Sequence, residues 1–322
     1  MRDDLIHRTD ALARGHGPAQ IRTSVRRGEW VRLTSGVYLP RTLYDATDDH
    51  GRHAYRAVAS VCVSSPDAAI SHVSAAVLHG LRPWGLPLDD VHLTYPRTSG
   101  GKRTPGRVMH AARLDETDVV EKCGVRVVGV ARTVVDVAAS ESFEHAVVLG
   151  DRALRQGLLT RDELERVVAR MGSHPGRARA RRAVAAMSER SDSVGESRSR
   201  VLMIRERLPL PLEQVDVFDA NDRWLARVDF LWPELGVLGE FDGRIKYRRD
   251  GVATADAEDV VYREKLREDR LRHAGWVVLR WTWADLETPG ALASKFRDAV
   301  ALAQRGSGPV GRYVVRGLPT QK

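Results

Sequence analysis

Apolar and polar positions change period several times along the 322-residue chain. Leu5, Ala11 and Leu12 predict a short helix over 5–14, stopped by Gly15-His16-Gly17. A second helix begins at Pro18, a favoured first-turn residue, and runs to Arg27 before Gly28 ends it. Residues 30–39 then alternate as a small hairpin. Further on, the pattern predicts helices over 54–63 and 71–80 and strands over 91–95 and 124–130. Thr98 to Gly106 reads as a flexible basic loop. Thr133 opens the next helix, with Asp136 at the spacing of a near capping box. Helices follow over 143–155, 161–171 and 177–190, and 188–195 reads as a linker.

The last third of the chain opens with a helix from Ser193 to about Arg207, closed by Pro209-Leu210-Pro211. Ser193 and Glu196 make a capping box. Strands over 212–218 and 224–232 flank a turn at Asn221-Asp222. The second strand ends in Arg227-Val228-Asp229-Phe230-Leu231-Trp232, and Pro233-Glu234-Leu235-Gly236 joins it to Val237-Leu238-Gly239-Glu240-Phe241-Asp242. That is a hairpin signal. A loop symmetric about Glu234 and Leu235 sets Asp229 opposite Glu240 and Arg227 opposite Asp242, all on one sheet face. Two facing carboxylates repel. One reading places a divalent ion between them, since hard ions such as magnesium take carboxylate oxygens and keep room for water and phosphate. The other has an asymmetric turn, with acids solvated at an open edge. A charged helix over 260–274 carries Glu264, Arg267 and Arg270 as one stripe, a buried strand over 276–283 carries Arg280, a helix covers 291–304, and the tail from Gly306 is loop-like.

Composition narrows the picture. With 43% hydrophobic and 29% charged residues the chain has ample core, and its net charge of +8 favours a polyanionic partner. Arg22 and Arg26 share a face of the second helix, with Gln20, Thr23 and Ser24 near enough to touch bases or phosphates, and Arg27 and Arg32 lie at the helix end and hairpin. Cys62 and Cys123 show no metal spacing and read as reduced core residues. The N-terminus lacks a long apolar segment and no run approaches the ~20 residues a bilayer requires, so the expectation is a cytoplasmic protein without membrane spans. The loop at 98–106 lacks Walker spacing, which argues against a nucleotide cofactor. His72 and His79 share a helical face, but with no third ligand nearby they read as structural.

Residues 193–286, with Asp229, the Pro-Glu-Leu-Gly turn and Glu240-Phe241-Asp242-Gly243-Arg244-Ile245-Lys246, resemble the Vsr-like domain related to very-short-patch-repair endonucleases, within the PD-(D/E)XK nuclease superfamily. The resemblance implies a restriction-endonuclease-like fold, with Asp229 and Glu240 as Mg2+ (or Mn2+) ligands, an acidic residue at Glu196 beside the metal, and positive residues near the scissile phosphate, for which Arg270 and Arg280 stand. This chain departs from the pattern twice. The superfamily's Lys is Asp242 here, and the subfamily's His is Lys246, which would supply the charge that orients water. The segment with Val25-Arg26-Arg27-Gly28-Glu29-Trp30-Val31-Arg32-Leu33 and Gly36-Val37-Tyr38 resembles the N-terminal winged helix-turn-helix of AbiEi-type antitoxins, which implies duplex DNA and a cognate toxin as partners. The expected architecture is therefore α/β and multidomain: a winged helix-turn-helix over 1–45, an α/β middle region over 46–190 and a nuclease-like domain over 191–322. Its expected activity is metal-dependent DNA cleavage, or else regulation with the nuclease fold kept as scaffold.

Overall fold

The computed structural model describes residues 1–97, 99–243 and 255–315, the last stretch with its side chains from residue 264 onward. The chain divides between Met187 and Ser188 into two units, both mixed α/β.

The first unit begins with β1 (Ile6–His7), α1 (Arg8–Ala13), α2 (Pro18–Arg26), β2 (Trp30–Thr34) and β3 (Val37–Pro40), whose strands form a sheet in the order β1-β3-β2. Leu5 lies before α1 rather than in it, and packs with Val37, Leu39 and Val58 in the unit's main core. Ala11, Ile21 and Tyr38 close a smaller cluster beneath the two helices. After α3 (Arg41–Asp45) and α4 (Asp49–Cys62) come β4 (Ala69–Ile70), α5 (His72–Leu78), β5 (Val91–Pro96), β6 (Lys102–Thr104), β7 (Arg107–Ala112), β8 (Val119–Lys122) and β9 (Val125–Val128). These strands make a mixed sheet in the order β6-β7-β5-β4-β9-β8. The stretch expected as a loop thus contains β6, which turns back on β7 with Thr104 opposite Arg107.

Four helices complete this unit: α6 (Val130–Ser140), α7 (Phe143–Arg155), α8 (Arg161–Arg170) and α9 (Arg177–Ala186). Thr133 does not cap α6. The helix starts three residues earlier, after Gly129, and the buried Thr133 hydroxyl donates to Val128 O. Asp136 instead accepts from Arg132 Nε at 2.7 Å, one turn back on the same helix.

The second unit contains α10 (Val194–Glu206), β10 (Leu212–Phe218), β11 (Trp224–Trp232), β12 (Val237–Asp242), α11 (Ala255–His273), β13 (Val277–Thr282), α12 (Trp283–Glu287), α13 (Ala291–Ala303) and β14 (Arg312–Val315). Its sheet runs β13-β12-β11-β10-β14, with β12 and β13 parallel and the other neighbours antiparallel. The tail is not wholly loop, because β14 adds to the free edge of β10 and satisfies its backbone groups. The strand expected to reach residue 283 stops at Thr282, whose N–H and hydroxyl both donate to Asp285 to start α12.

The sheet is covered on both faces. Leu271 and Ala274 of α11 pack with Leu231 and Leu238 on one side, while Met203, Leu286, Leu292 and Phe296 pack with Phe230, Trp232 and Trp281 on the other. Among the described residues no helix is long and apolar enough to cross a membrane.

Gly195 brings α10 against β12, since a Cβ there would lie 1.9 Å from the Phe241 ring. Overpacking against a rigid ring has no cheap relaxation. We expect Gly195→Ala to lower stability by roughly 1–3 kcal/mol, as measured by urea denaturation.

Candidate functional site

The hairpin between β11 and β12 turns through a single 3-10 turn at Pro233–Leu235 and a left-handed Gly236. Its ladder pairs Trp232 with Val237, Leu231 with Leu238 and Phe230 with Gly239. Continued one step, that register sets Asp229 opposite Glu240, as the symmetric turn requires. Both acids share the parity of Leu231 and Leu238, so they face α11, where Glu264, Arg267 and Leu271 follow one another at helical spacing.

Glu240 is 8% exposed and is held by two arginines. Arg267 Nη2 donates to its Oε1 at 2.8 Å. Arg280, its register neighbour on the parallel β13, reaches Oε2 through Nε at 3.0 Å and Nη2 at 2.9 Å. Arg280 also pairs with Glu268 at 2.8 Å, and Glu268 with Arg272. A buried carboxylate requires such pairing, and removing one partner from such a group is costly.

Asp229 has a different environment. Its Oδ2 accepts the Phe241 N–H at 2.9 Å, and Oδ1 lies 3.4 Å from Gln214 Nε2. Burial raises its carboxyl above the usual range; the Phe241 N–H opposes this, and the charge of Glu240 adds to the rise. Gln214, in the left-handed region at φ 54 within β10, donates from the same Nε2 to Glu196 Oε2 at 2.8 Å. Ser193 caps α10 by accepting the Glu196 N–H, but the reciprocal half of the expected capping box shifts by one residue: Glu196 accepts from the Asp192 N–H and the Ser193 hydroxyl. Burial, reinforced by the Asp229 charge, pushes the Glu196 carboxyl up to about 7.

Arg227, Asp229, Glu240, Asp242, Glu264, Arg267 and Arg280 line one cleft of about 240 Å³. Four carboxylates and three guanidinium groups thus share a small polar space. The Nε atoms of Arg227 and Arg267 are buried there without a hydrogen-bond partner among the described residues.

The structure brings most of the acids expected from sequence into or beside this cleft. Lys246 falls outside the described residues. Arg270 does not line the cleft. Its Nε donates to Leu266 O on its own helix, and six residues on from Glu264 it has turned about 120° away from that residue around the cylinder. The ion pairs of Arg280 are with Glu240 and Glu268. Arg200, one turn after Glu196, pairs with Glu213 at 3.3 Å. Sequence reasoning missed Gln214, which links the two acids, and gave Arg267 no role beyond its helical stripe.

In the first unit Arg22, Arg26, Arg27 and Arg32 are all exposed. Arg22 and Arg26 stand one turn apart on α2, and Arg32 lies on β2 of the hairpin. Arg27 lies 4.0 Å from Glu29, an exposed contact of little energetic weight. The Gln20 side chain is engaged locally, accepting the Gly17 N–H at 2.7 Å.

No protein-family model matches the chain. Over 165 residues it is 31% identical to two proteins of Mycobacterium tuberculosis, the uncharacterized proteins MT2308 and Rv2248. Each alignment covers 51% of this chain and 57% of the relative, so the chain spans little more than half the length of the curated relatives it matches. The crystal structure of the RV2827C protein from the same organism aligns with 65% of this chain and 79% of its own, at a TM-score of 0.39 and 16% identity.

The coupling of the two acids is measurable. Because the folded-state pKa of Glu196 is raised, its ionisation opposes folding, and stability falls as pH climbs from about 4.5 toward 7. The difference is on the order of 3 kcal/mol. Carbon NMR of the labelled carboxyl should place the Glu196 midpoint near 7, and Asp229→Asn should move it down. An unmoved midpoint contradicts the coupling.

Proposed function

We propose that the second unit is a divalent-metal-dependent endonuclease that hydrolyses phosphodiester bonds in duplex DNA, and that α2 and the β2–β3 hairpin belong to a winged helix-turn-helix that holds the duplex. One observation carries this reading: Asp229 and Glu240 line a single cleft with three arginines, two of which keep buried, unpartnered Nε–H groups. Such a mixture suits a phosphate that arrives with a cation. The mixed sheet with helices on both faces also supports the resemblance to the PD-(D/E)XK nucleases.

The donor set fits a hard ion. Asp229 and Glu240 offer only oxygen, and a carboxylate retains acceptor capacity beyond the contacts each now makes. These two residues would hold Mg2+, or Mn2+ in its place, and Asp242 and Glu264 border the same space. When bound, the ion would lower the pKa of a water and neutralise charge on the leaving oxygen. Arg267 and Arg280 would turn part of their hydrogen bonding from Glu240 to the phosphate, a bidentate recognition that guanidinium groups suit. Glu196 acts through Gln214 on Asp229, setting its charge and orientation. We assign Lys246 the task of orienting the attacking water. A DNA substrate implies a protein of the cytoplasm.

The second reading is an AbiEi-like antitoxin or transcriptional regulator, with a toxin as partner and the nuclease fold as scaffold. A specific observation favours it: Arg267 and Arg280 already balance Glu240 without an ion, and Asp242 occupies the place of the superfamily's Lys.

Nicking of supercoiled plasmid separates the two. With magnesium or manganese the wild type should cleave, EDTA should abolish cleavage, and Asp229→Ala and Glu240→Ala should each lose at least about a hundredfold, the scale on which removing one charge-stabilising group acts. Absent cleavage with intact duplex binding would support the regulator. In either case Arg22→Ala and Arg26→Ala should weaken duplex binding and reduce its salt dependence by about one ion each, read by fluorescence anisotropy. Unchanged binding in both variants argues against the α2 interface.

A further inference from the structure

A second cluster of chemistry lies in the first unit. His72 stands at the start of α5, His92 on β5 and His110 on β7. One ring nitrogen from each can be chosen so that all three lie within 4.8 Å of one another. His92 Nδ1 and His110 Nε2 are 3.0 Å apart. The parallel ladder places His92 beside Val108 and Thr94 beside His110, so both histidines project from the same sheet face.

We propose that His72, His92 and His110 form a binding site for a divalent transition-metal ion of the zinc class. Imidazole is a preferred ligand for such ions, and zinc bonds its nitrogen at about 2.0–2.1 Å, so ligand nitrogens of a tetrahedral site stand roughly 3.3 Å apart. The His92–His110 spacing is close to that value already. His72 and His110 stack with centroids 3.6 Å apart and planes 13° from parallel. Convergence of their lone pairs therefore requires one ring to turn about its Cβ–Cγ bond.

The surroundings hold the three ligands as a unit. His72 takes φ 51, a left-handed backbone that side chains adopt at a cost. The corner it occupies is tied to its partner ligand: the Ser71 N–H donates to His92 O at 3.0 Å, and the His92 N–H donates to Ser74 Oγ at 2.9 Å. Ser74 in turn lies 2.8 Å from His53 Nε2, whose Nδ1 bonds Leu88 O. His72 Nδ1 lies 3.0 Å from Ser71 Oγ, a contact that can fix the tautomer with its lone pair on Nε2.

Two buried acceptors beside the cluster lack hydrogen-bond partners among the described residues, Thr94 Oγ1 and Asp136 Oδ2. Asp136 is close enough for its charge to act on His110, and it lines a cavity of about 430 Å³ that includes His174. Arg132 and Arg103 oppose a cation electrostatically, whereas Asp136 and Asp90 favour it.

The test uses the full chain, stripped with chelator and titrated with zinc(II) and cobalt(II). One equivalent should bind and raise the melting temperature. The cobalt form should show intense tetrahedral visible bands and three exchangeable, paramagnetically shifted imidazole N–H resonances. His92→Ala and His110→Gln should abolish both signatures, while His16→Ala, at an exposed histidine, should leave them intact. Fewer than three shifted resonances in the wild type overturns the proposal even where a variant fails to fold. So does binding that survives in the folded His92 and His110 variants, and so does the absence of stoichiometric binding, which would leave the cluster a hydrogen-bonded histidine stack.

Discussion

A carboxylate removed from water has to be given its counter-charge by the protein, and in the second unit that requirement falls on Glu240. Two elements meet it. Arg267 descends from α11 and Arg280 approaches from β13, so one side chain of β12 ties together a helix and two parallel strands. Glu268 then takes the remaining reach of Arg280 and binds Arg272, extending alternating charge along the helix. The apolar layer beneath depends on the same geometry: Leu271 reaches Leu231 and Leu238 on the face that carries Arg267 to Glu240.

Asp229 is the unbalanced member of the pair. It has one backbone N–H and a distant amide where Glu240 has two guanidinium groups, and its carboxyl is raised by burial and by Glu240. Glu196, bonded to the same Gln214 amide, is raised in its turn by burial and by the Asp229 charge, with the Gln214 bond opposing the rise. Glu240 is thus paired by arginines, whereas Asp229 and Glu196 are held nearer to protonation by burial. A cation entering the cleft would lower the cost of ionising Asp229. Cation binding in this account is therefore linked to proton release.

How much of this could be read from the chain depends on the range of the interaction. Local chemistry was legible: the symmetric Pro-Glu-Leu-Gly turn gives the register of the β11–β12 ladder, and Ser193 with Glu196 gives the start of α10. Pairings between distant elements were not. Nothing near Glu240 in sequence indicates that Arg280 will be its register neighbour, because that depends on a parallel crossover. Gln214 is an ordinary strand residue until its left-handed backbone turns it between two acids. Helical spacing drew attention to His72 and His79, yet the side chains that meet His72 come from two strands, and His79 bonds Val128 O instead. Short strands such as β4, β6 and β14 carry too few residues for a period to register.

The central claim is that Asp229 and Glu240 jointly hold a hard cation. An anomalous-difference map from crystals soaked in manganese(II) tests it most directly, because it locates the ion. The account predicts a peak bridging Asp229 and Glu240, with Arg267 or Arg280 drawn away from Glu240 to admit it. A saturated crystal with no peak in that cleft, and both arginines still on Glu240, would contradict it.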